Sequence, residues 1–121
     1  MTWAWVALGG ALGAVVRDLA ARQRGAVSGT DLVNRAGAVL LGIVLAAVDA
    51  GAVGSTVLAF LGIGLAGGMT TFSTWMVQIA EGRRDDGVTA GPPDRFRLVR
   101  ETLLGLILAA LALWSTATLL T

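Results

Sequence analysis

Residues 50–80, AGAVGSTVLAFLGIGLAGGMTTFSTWMVQIA, carry no charged side chain over 31 consecutive positions. A helix needs about 20 mainly apolar residues to cross the roughly 30 Å hydrocarbon core of a bilayer. Asp49 and the glycines and serine that follow it, up to Ser55, are typical of a turn. We therefore expect a turn over residues 49–55 and a membrane-spanning helix over residues 55–80.

Three further apolar segments accompany this one. Residues 1–16, 36–48 and 102–121 are also free of charge, and only 14% of the chain is charged, against about 25% in a soluble domain. The simplest partition is one domain over residues 1–121, with four helices near residues 2–21, 31–49, 55–80 and 101–120. The polar segment 81–101 is predicted to be a loop. The fold class is therefore an all-α integral membrane protein.

The residue types that are missing exclude much chemistry. The chain contains no Cys, His, Lys or Tyr. These absences exclude disulfides, Cys/His zinc sites, His-based triads and lysine Schiff bases. The carboxylates lie at predicted helix ends and in loops. We expect neither an enzyme nor a nucleic-acid partner.

The basic residues are unevenly distributed. With four spans, both termini and the turn 49–55 share one side of the membrane, and the first and third loops share the other. All nine basic residues are arginines in or beside these two loops. Short loops rich in Lys and Arg stay in the cytoplasm. We therefore expect a multi-pass protein of the cell (inner or plasma) membrane, with loop 81–101 in the cytoplasm and both termini outside.

A polar cluster interrupts the third predicted helix. In GGMTTFSTW, residues 67–75, two adjacent glycines precede four hydroxyl side chains in five positions. Such a sequence predicts a helix break near Gly67–Thr71, with carbonyls buried in protein or facing an aqueous path. Exposed carbonyl oxygens at a break suit Na⁺ or a similar cation. The alternative is that the hydroxyls bond to their own helix.

Other small or polar residues have similarly open interpretations. Asn34 and Arg35 open the second helix with donors that suit an anion, but either side chain could instead snorkel or pair with Asp31. Gly9 and Gly13 have the spacing that lets membrane helices approach closely. Helix packing alone would explain these two glycines.

Three motifs together resemble the Fluc (CrcB) family of fluoride channels. Residues 9–17, GGALGAVVR, resemble the family pattern GGxxGAxxR. Residues 29–37, GTDLVNRAG, followed by Leu41-Gly42, resemble GTLxVNxxG…LG. Residues 67–74, GGMTTFST, resemble GGxTTFST, the most specific of the three. The resemblance extends over most of the chain.

The resemblance implies an antiparallel two-subunit channel through which fluoride leaves the cytoplasm passively and reduces its toxicity there. Backbone carbonyls of Gly67 and Thr70, from both subunits, would hold one structural Na⁺. The residues implied along the fluoride path are Asn34, Phe72, Ser73, Thr74, Trp75 and Arg17.

Several positions depart from the family pattern. Trp75 replaces the second of two phenylalanines whose positive ring edges face the anion, and its larger indole adds an N–H donor. Arg35 replaces an apolar residue. Asp18 replaces an aromatic one, next to Arg17 as a candidate ion-pair partner. Loop 81–101 is longer than usual.

The arginine bias also bears on the assembly. An antiparallel homodimer requires a subunit that inserts in either orientation, and therefore nearly balanced loop charges. Nine arginines on one side and none on the other predict one fixed orientation. We expect one half of a heterodimer, whose partner is a homologous chain with the opposite bias; otherwise the partner is a second copy.

Two other functions are compatible with four short spans. A small multidrug-type proton-coupled exporter needs a carboxylate deep in the membrane. Here Asp18, Asp31 and Asp49 all lie near predicted helix ends, and no Glu falls within a predicted span. A non-transporting partner subunit is the second alternative, and it predicts that fluoride flux survives deletion of this chain.

Overall fold

A computed structural model describes residues 2–85 and 95–120 of the chain. Helix α1 covers Thr2–Arg24 and α2 covers Ala26–Asp49. The third span consists of α3, residues 55–69, and α4, Phe72–Ala80; helix α5 covers Arg95–Leu120. Most of α3, Leu58–Ala66, is a wide π-helix. Four segments are long and apolar enough to cross a membrane, so the predicted all-α, four-span architecture is confirmed.

Two helices begin earlier than their apolar segments predict. Helix α2 begins at Ala26 instead of residue 31, and α5 begins at Arg95 instead of residue 101. The first turns of both helices carry charged side chains, and these pair with each other across the two helices. The charged residues are therefore part of the helices and do not mark their starts. Helix α5 thereby takes up the last seven residues of the predicted loop 81–101. Residues 86–94 of that loop lie outside the described part.

Helix α2 has a cap that comes from a distant part of the chain. The backbone N–H groups of Val27 and Ser28 donate to one Asp85 carboxylate oxygen, at 2.8 and 3.0 Å, and the Ser28 hydroxyl donates to the other. These bonds, chiefly that from the Ser28 hydroxyl, lower the pKa of Asp85. Gly25, at φ +93°, lies so close to Asp85 that a Cβ on residue 25 would clash with the Asp85 side chain.

Glycines set the contact between α1 and α3. A Cβ on Gly9 would lie 2.9 Å from the Leu65 nitrogen, and one on Gly13 would lie 2.7 Å from the Met69 nitrogen. Only glycine permits such distances between the two backbones. The spacing of Gly9 and Gly13 therefore has the packing role that it predicts.

The outer surface of the bundle is apolar. The buried hydrophobic residues are mostly Val and Ala, whereas many large apolar side chains on all four spans are exposed. This distribution suits a surface covered by lipid or by another membrane subunit. Within the bundle α2 packs along α5, and α1 packs along α3, which places the interruption of the third span beside both α1 and α2.

Candidate functional site at the break of the third span

The third span is interrupted at two residues. Thr70 and Thr71 have extended backbones, at φ −80°, ψ 148° and φ −150°, ψ 122°. The Thr71 hydroxyl then accepts a hydrogen bond from the backbone N–H of Thr74, at 3.4 Å, and so caps α4. The predicted break near Gly67–Thr71 is therefore confirmed. It removes backbone groups from the helical hydrogen-bond ladder, and these groups need other partners.

Side chains of α1 and α2 supply these partners. The Asn34 amide oxygen accepts from the Thr71 N–H at 2.9 Å, and its nitrogen donates to the Thr71 carbonyl at 3.3 Å. Arg17 donates to the Thr70 carbonyl at 3.3 Å. Asn34 and Arg17 thus both lie at the break, and both hold its backbone. Their residue types alone gave no sign of this second role.

The carbonyls predicted to bind Na⁺ already have local contacts. The Gly67 carbonyl accepts from the Thr70 hydroxyl at 3.3 Å, and the Thr70 carbonyl accepts from Arg17. A carbonyl oxygen has two lone pairs, so each retains capacity for a cation. Oxygen is the correct ligand type for a hard cation, but such ions take about six ligands. Two carbonyls from one chain are too few, so the fit requires oxygens from elsewhere.

A groove of about 420 Å³ lies between the break, α2, α4 and α5. Asn34, Phe72 and Trp75 line it together with Thr70 and Thr71. Phe72 is 70% exposed, whereas Trp75 is only 6% exposed. The centroids of these two rings are 6.1 Å apart. The structure therefore brings three of the predicted path residues to one groove.

Ser73 and Thr74 lie elsewhere. These two hydroxyl residues line a second cavity, of about 370 Å³, together with Ala26, Gln78 and Arg83. Residues 73 and 74 follow Phe72 by one and two positions in a helix, so their side chains point away from its direction. The six predicted path residues therefore occupy three places: the groove, the second cavity and, for Arg17, the break.

Two ion pairs join α2 to α5 beside the groove. Arg97 donates to both Asp31 oxygens at 2.7 and 3.1 Å, and Arg35 donates to both Glu101 oxygens at 2.7 and 2.8 Å. Asp31, Arg35 and Glu101 all line the groove. We call these four side chains the charge ladder. Residues four positions apart lie on the same face of a helix. Asp31 and Arg35 therefore share one face of α2, Arg97 and Glu101 share one face of α5, and both ion pairs form where these two faces meet.

The observed ion pairs correct three sequence interpretations. Arg35 pairs with Glu101, not with Asp31. Asp18 pairs with Arg22 at 2.7 Å instead of with Arg17, whose guanidinium reaches the break. The view that no Glu falls within a span is wrong, because Glu101 lies in α5 and is only 8% exposed.

Gln78 connects α4 to the same region. It is buried, donates to the Ala26 carbonyl at 2.9 Å and to the Thr30 hydroxyl at 3.2 Å, and accepts from Arg97 at 3.4 Å. Sequence reasoning overlooked Gln78, Arg97 and Glu101. The sequence does contain a signal for Arg97 and Glu101. Near the start of α2 an acid precedes a base by four residues, and near the start of α5 a base precedes an acid by four residues, so the two helices can form two ion pairs.

Comparison with known proteins gives consistent matches. Residues 4–115 match the family described as CrcB-like protein, Camphor Resistance (CrcB). The chain is 42% identical over 85 residues to fluoride-specific ion channel FluC 1 of Rhodococcus jostii, covering 70% of this chain and 64% of that protein. It is 37% identical over 84 residues to fluoride-specific ion channel FluC of Deinococcus radiodurans, covering 64% of this chain and 67% of that protein.

A third match is fluoride-specific ion channel FluC 1 of Symbiobacterium thermophilum, 37% identical over 92 residues, covering 69% of this chain and 74% of that protein. The chain thus spans just under two-thirds of the Rhodococcus relative and somewhat more of the other two. No solved structure matches the chain significantly.

Proposed function

The chain belongs to the CrcB family, and from this premise we propose that it is a subunit of a fluoride-selective channel, not an enzyme. The channel would let fluoride leave the cytoplasm passively across the cell membrane. The observation that carries the proposal is the broken third span, with a groove that brings together Asn34, Phe72 and Trp75 beside the break.

The chemistry of the groove suits a small anion. Most of its lining is carbon, and its polar groups are few. The edge of the Phe72 ring is electropositive and attracts an anion that has lost part of its water. Asp31, Arg35 and Glu101 also line the groove, and Arg35 is bonded to both Glu101 oxygens. Asn34 keeps the break, and with it Phe72 and Trp75 on α4, in position through its two bonds to Thr71.

The second cavity extends the proposed path along α4. Its hydroxyl lining, Ser73 and Thr74, offers donors to an anion, and the Arg83 guanidinium lies among the other lining residues. Since the groove and this cavity lie on different sides of α4, the hydroxyls would serve a different stretch of the path from Phe72.

A second subunit, antiparallel to this one, completes the proposed channel. Phe72 is 70% exposed although it lies within a span, which is compatible with a subunit surface there. Carbonyls of Gly67 and Thr70 from each subunit would together offer four oxygens to one structural Na⁺, twice the number that one chain supplies.

The charge distribution favours a heterodimer. All nine arginines lie in the second half of α1, the first half of α2, residues 83–84 or the first turns of α5. These segments meet at one end of the bundle. The chain would therefore insert in one orientation, with this end in the cytoplasm and both termini outside. Its partner would be a homologous chain with arginines at the other end.

Fluoride efflux from liposomes that contain the purified chain alone, with chloride as control, tests the function and the assembly together. No efflux alone but fluoride-selective efflux after an oppositely biased homologue is added would support the heterodimer. Efflux from the lone chain would establish a homodimer. Absence of efflux with every partner would contradict the channel function and favour a non-transporting subunit.

A further inference from the structure

Helix α5 presents an exposed apolar surface that ends in an arginine. Leu103, Ile107 and Leu111 are each more than half exposed, and their spacing of four residues places them on one face of the helix. Arg100 precedes Leu103 by three residues and lies on the same face, at the arginine-rich end of the bundle. We call these four residues the α5 stripe. Its three apolar side chains are not among those that line the groove, so the stripe is a surface separate from the proposed fluoride path.

The charge of Arg100 is not balanced by a carboxylate of its own. Its Nε–H donates to Glu101 at 2.9 Å, but both Glu101 oxygens already accept from Arg35, at 2.7 and 2.8 Å. Two guanidinium groups therefore share one carboxylate, which leaves a net charge of +1. The Arg100 side chain is 61% exposed. A guanidinium has five N–H donors, so the terminal N–H groups of Arg100 can bind an anion at the surface.

Helix α1 has the same pattern with its charge cancelled. Leu12, Val15 and Leu19 are exposed at a spacing that places them on one face. Arg22 follows Leu19 by three residues and pairs with Asp18 at 2.7 Å, one guanidinium with one carboxylate. We call Leu12, Val15, Leu19 and Arg22 the α1 stripe. The two stripes reach the same end of the bundle and are similarly exposed, but only the α5 stripe has an excess positive charge.

We propose that the α5 stripe binds an anionic phospholipid, with the lipid phosphate on the Arg100 guanidinium and an acyl chain along the three apolar side chains. Arginines near the ends of membrane helices extend towards the headgroups, and the planar guanidinium matches two oxygens of a phosphate. The lipid would supply the negative charge that the Arg35, Glu101 and Arg100 cluster lacks. A zwitterionic lipid carries its own cation and would gain less. The assignment does not depend on fluoride conduction.

Quenching by brominated lipids tests the contact at a known position. The chain contains no cysteine, so Leu103→Cys and Leu19→Cys each give one fluorophore site, three residues from Arg100 and Arg22. The assembly that the full chain forms, labelled in this chain only, is reconstituted in phosphatidylcholine with a fixed small fraction of brominated phosphatidylglycerol or brominated phosphatidylcholine. We expect phosphatidylglycerol to be enriched up to about fivefold at residue 103, the effect of one arginine near an anionic headgroup. At residue 19 both lipids should quench equally.

Charge variants show whether Arg100 causes the preference. In the Leu103→Cys chain, Arg100→Gln should make the two lipids quench equally, while Glu101 keeps both bonds to Arg35. Arg100→Lys retains the charge and should retain most of the preference, and Arg22→Gln should leave it unchanged.

Three results would overturn the proposal. The first is equal quenching of residue 103 by the two lipids. The second is a preference for phosphatidylglycerol that is as large at residue 19 or that persists in Arg100→Gln. The third is weak quenching of residue 103 by both lipids, which would mean that another subunit covers the α5 stripe.

Discussion

Asn34 has two functions in one side chain. Its amide satisfies the N–H and the carbonyl of Thr71, and the same residue lines the groove. An ionised carboxylate in this place would leave the Thr71 carbonyl without its partner, because a carboxylate has no donor. The amide is therefore required for the shape of the break, whatever it contributes to the ion path.

Replacing Asn34 tests this double role. In Asn34→Ala both Thr71 backbone groups lose their partner, so we expect the free energy of unfolding to fall by about 1–3 kcal/mol and fluoride efflux to decrease. Thermal unfolding in detergent and liposome efflux are the two measurements. Gln23→Ala, which removes an exposed amide from α1, controls for the loss of an amide. Unchanged stability would contradict the role of Asn34 at the break.

Replacing Phe72 should reduce fluoride efflux while leaving the stability of the chain nearly unchanged. Because its ring is 70% exposed, Phe72→Ile removes little buried area, and we expect the unfolding temperature to change by no more than about 2 °C while fluoride efflux falls severalfold. Phe96→Ile is a matched control, since Phe96 is 89% exposed at the start of α5. Efflux that survives in both Phe72→Ile and Asn34→Ala would exclude the groove as the fluoride path.

At the scale of helices, the charge ladder determines where α2 and α5 pair. Asp31 and Arg97 are both largely buried, whereas the Asp18–Arg22 pair on α1 is exposed. Removing one partner of a buried pair costs about 3–5 kcal/mol, because a buried charge loses its counter-charge. An exposed pair contributes about 0–1 kcal/mol.

The variants Asp31→Asn and Asp18→Asn compare these two situations with the same chemical change. We expect Asp31→Asn to lower the free energy of unfolding by several kcal/mol and Asp18→Asn by less than about 1 kcal/mol. Chemical denaturation in detergent gives both values. Equal effects of the two substitutions would mean that the ladder contributes no more than a surface pair.

Asp85 makes the start of α2 sensitive to pH. Its pKa in the folded protein is below the ordinary value of 3.8, because the carboxylate accepts bonds from Ser28 and Val27. Its contribution is thus fully present above pH 3.8 and is lost as pH falls through the lower, folded-state pKa. We expect Asp85→Ala to reduce stability by about 1 kcal/mol near neutral pH, as for a lost helix cap. Relative to the unaltered protein, the decrease in unfolding temperature of Asp85→Ala should stay constant from neutral pH down to about pH 3.8 and become smaller only below it. A decrease that already becomes smaller well above pH 3.8 would refute the mechanism.

The elements of the fold differ in how far the sequence predicts them. Uncharged runs of 13 to 31 residues are enough to place four spans. The adjacent Gly67 and Gly68 with the following hydroxyls are enough to place the break. The starts of α2 and α5 are not predicted, because their early charges are neutralised by partners 66 positions away. Likewise, the motif predicts Asn34 as a path residue, but only the packing of α2 on the break reveals its bonds to Thr71.

For the molecule as a whole, the distribution of charge along the bundle axis is the dominant feature. The end that carries the nine arginines also carries the ladder and the Asp85 cap, whereas the other end has Asp49, the last residue of α2, and no arginine. Two of these arginines, Arg17 and Arg35, lie within the Fluc-like motifs, and the other seven come from the residues around them.

The orientation follows from this bias and is directly measurable. A short epitope tag on either terminus should be accessible to antibody from outside intact cells if, as we propose, the arginine-rich end remains in the cytoplasm. A tag inserted in the segment 86–94 should become accessible only after permeabilisation. Protection of both terminal tags in intact cells would reverse the proposed topology, and partial labelling of all three would indicate insertion in both orientations.

The break at Thr70 and Thr71 also has a consequence for biosynthesis. Its backbone groups are completed by Arg17 and Asn34, which are synthesised earlier. When the third span leaves the ribosome, α1 and α2 have already entered the membrane, and the side chains that accommodate its two non-helical residues are in place. If this order were reversed by circular permutation, Thr70 and Thr71 would enter lipid before their partners. A helical conformation of these two residues would then have the lower free energy, because it satisfies their backbone groups within the helix.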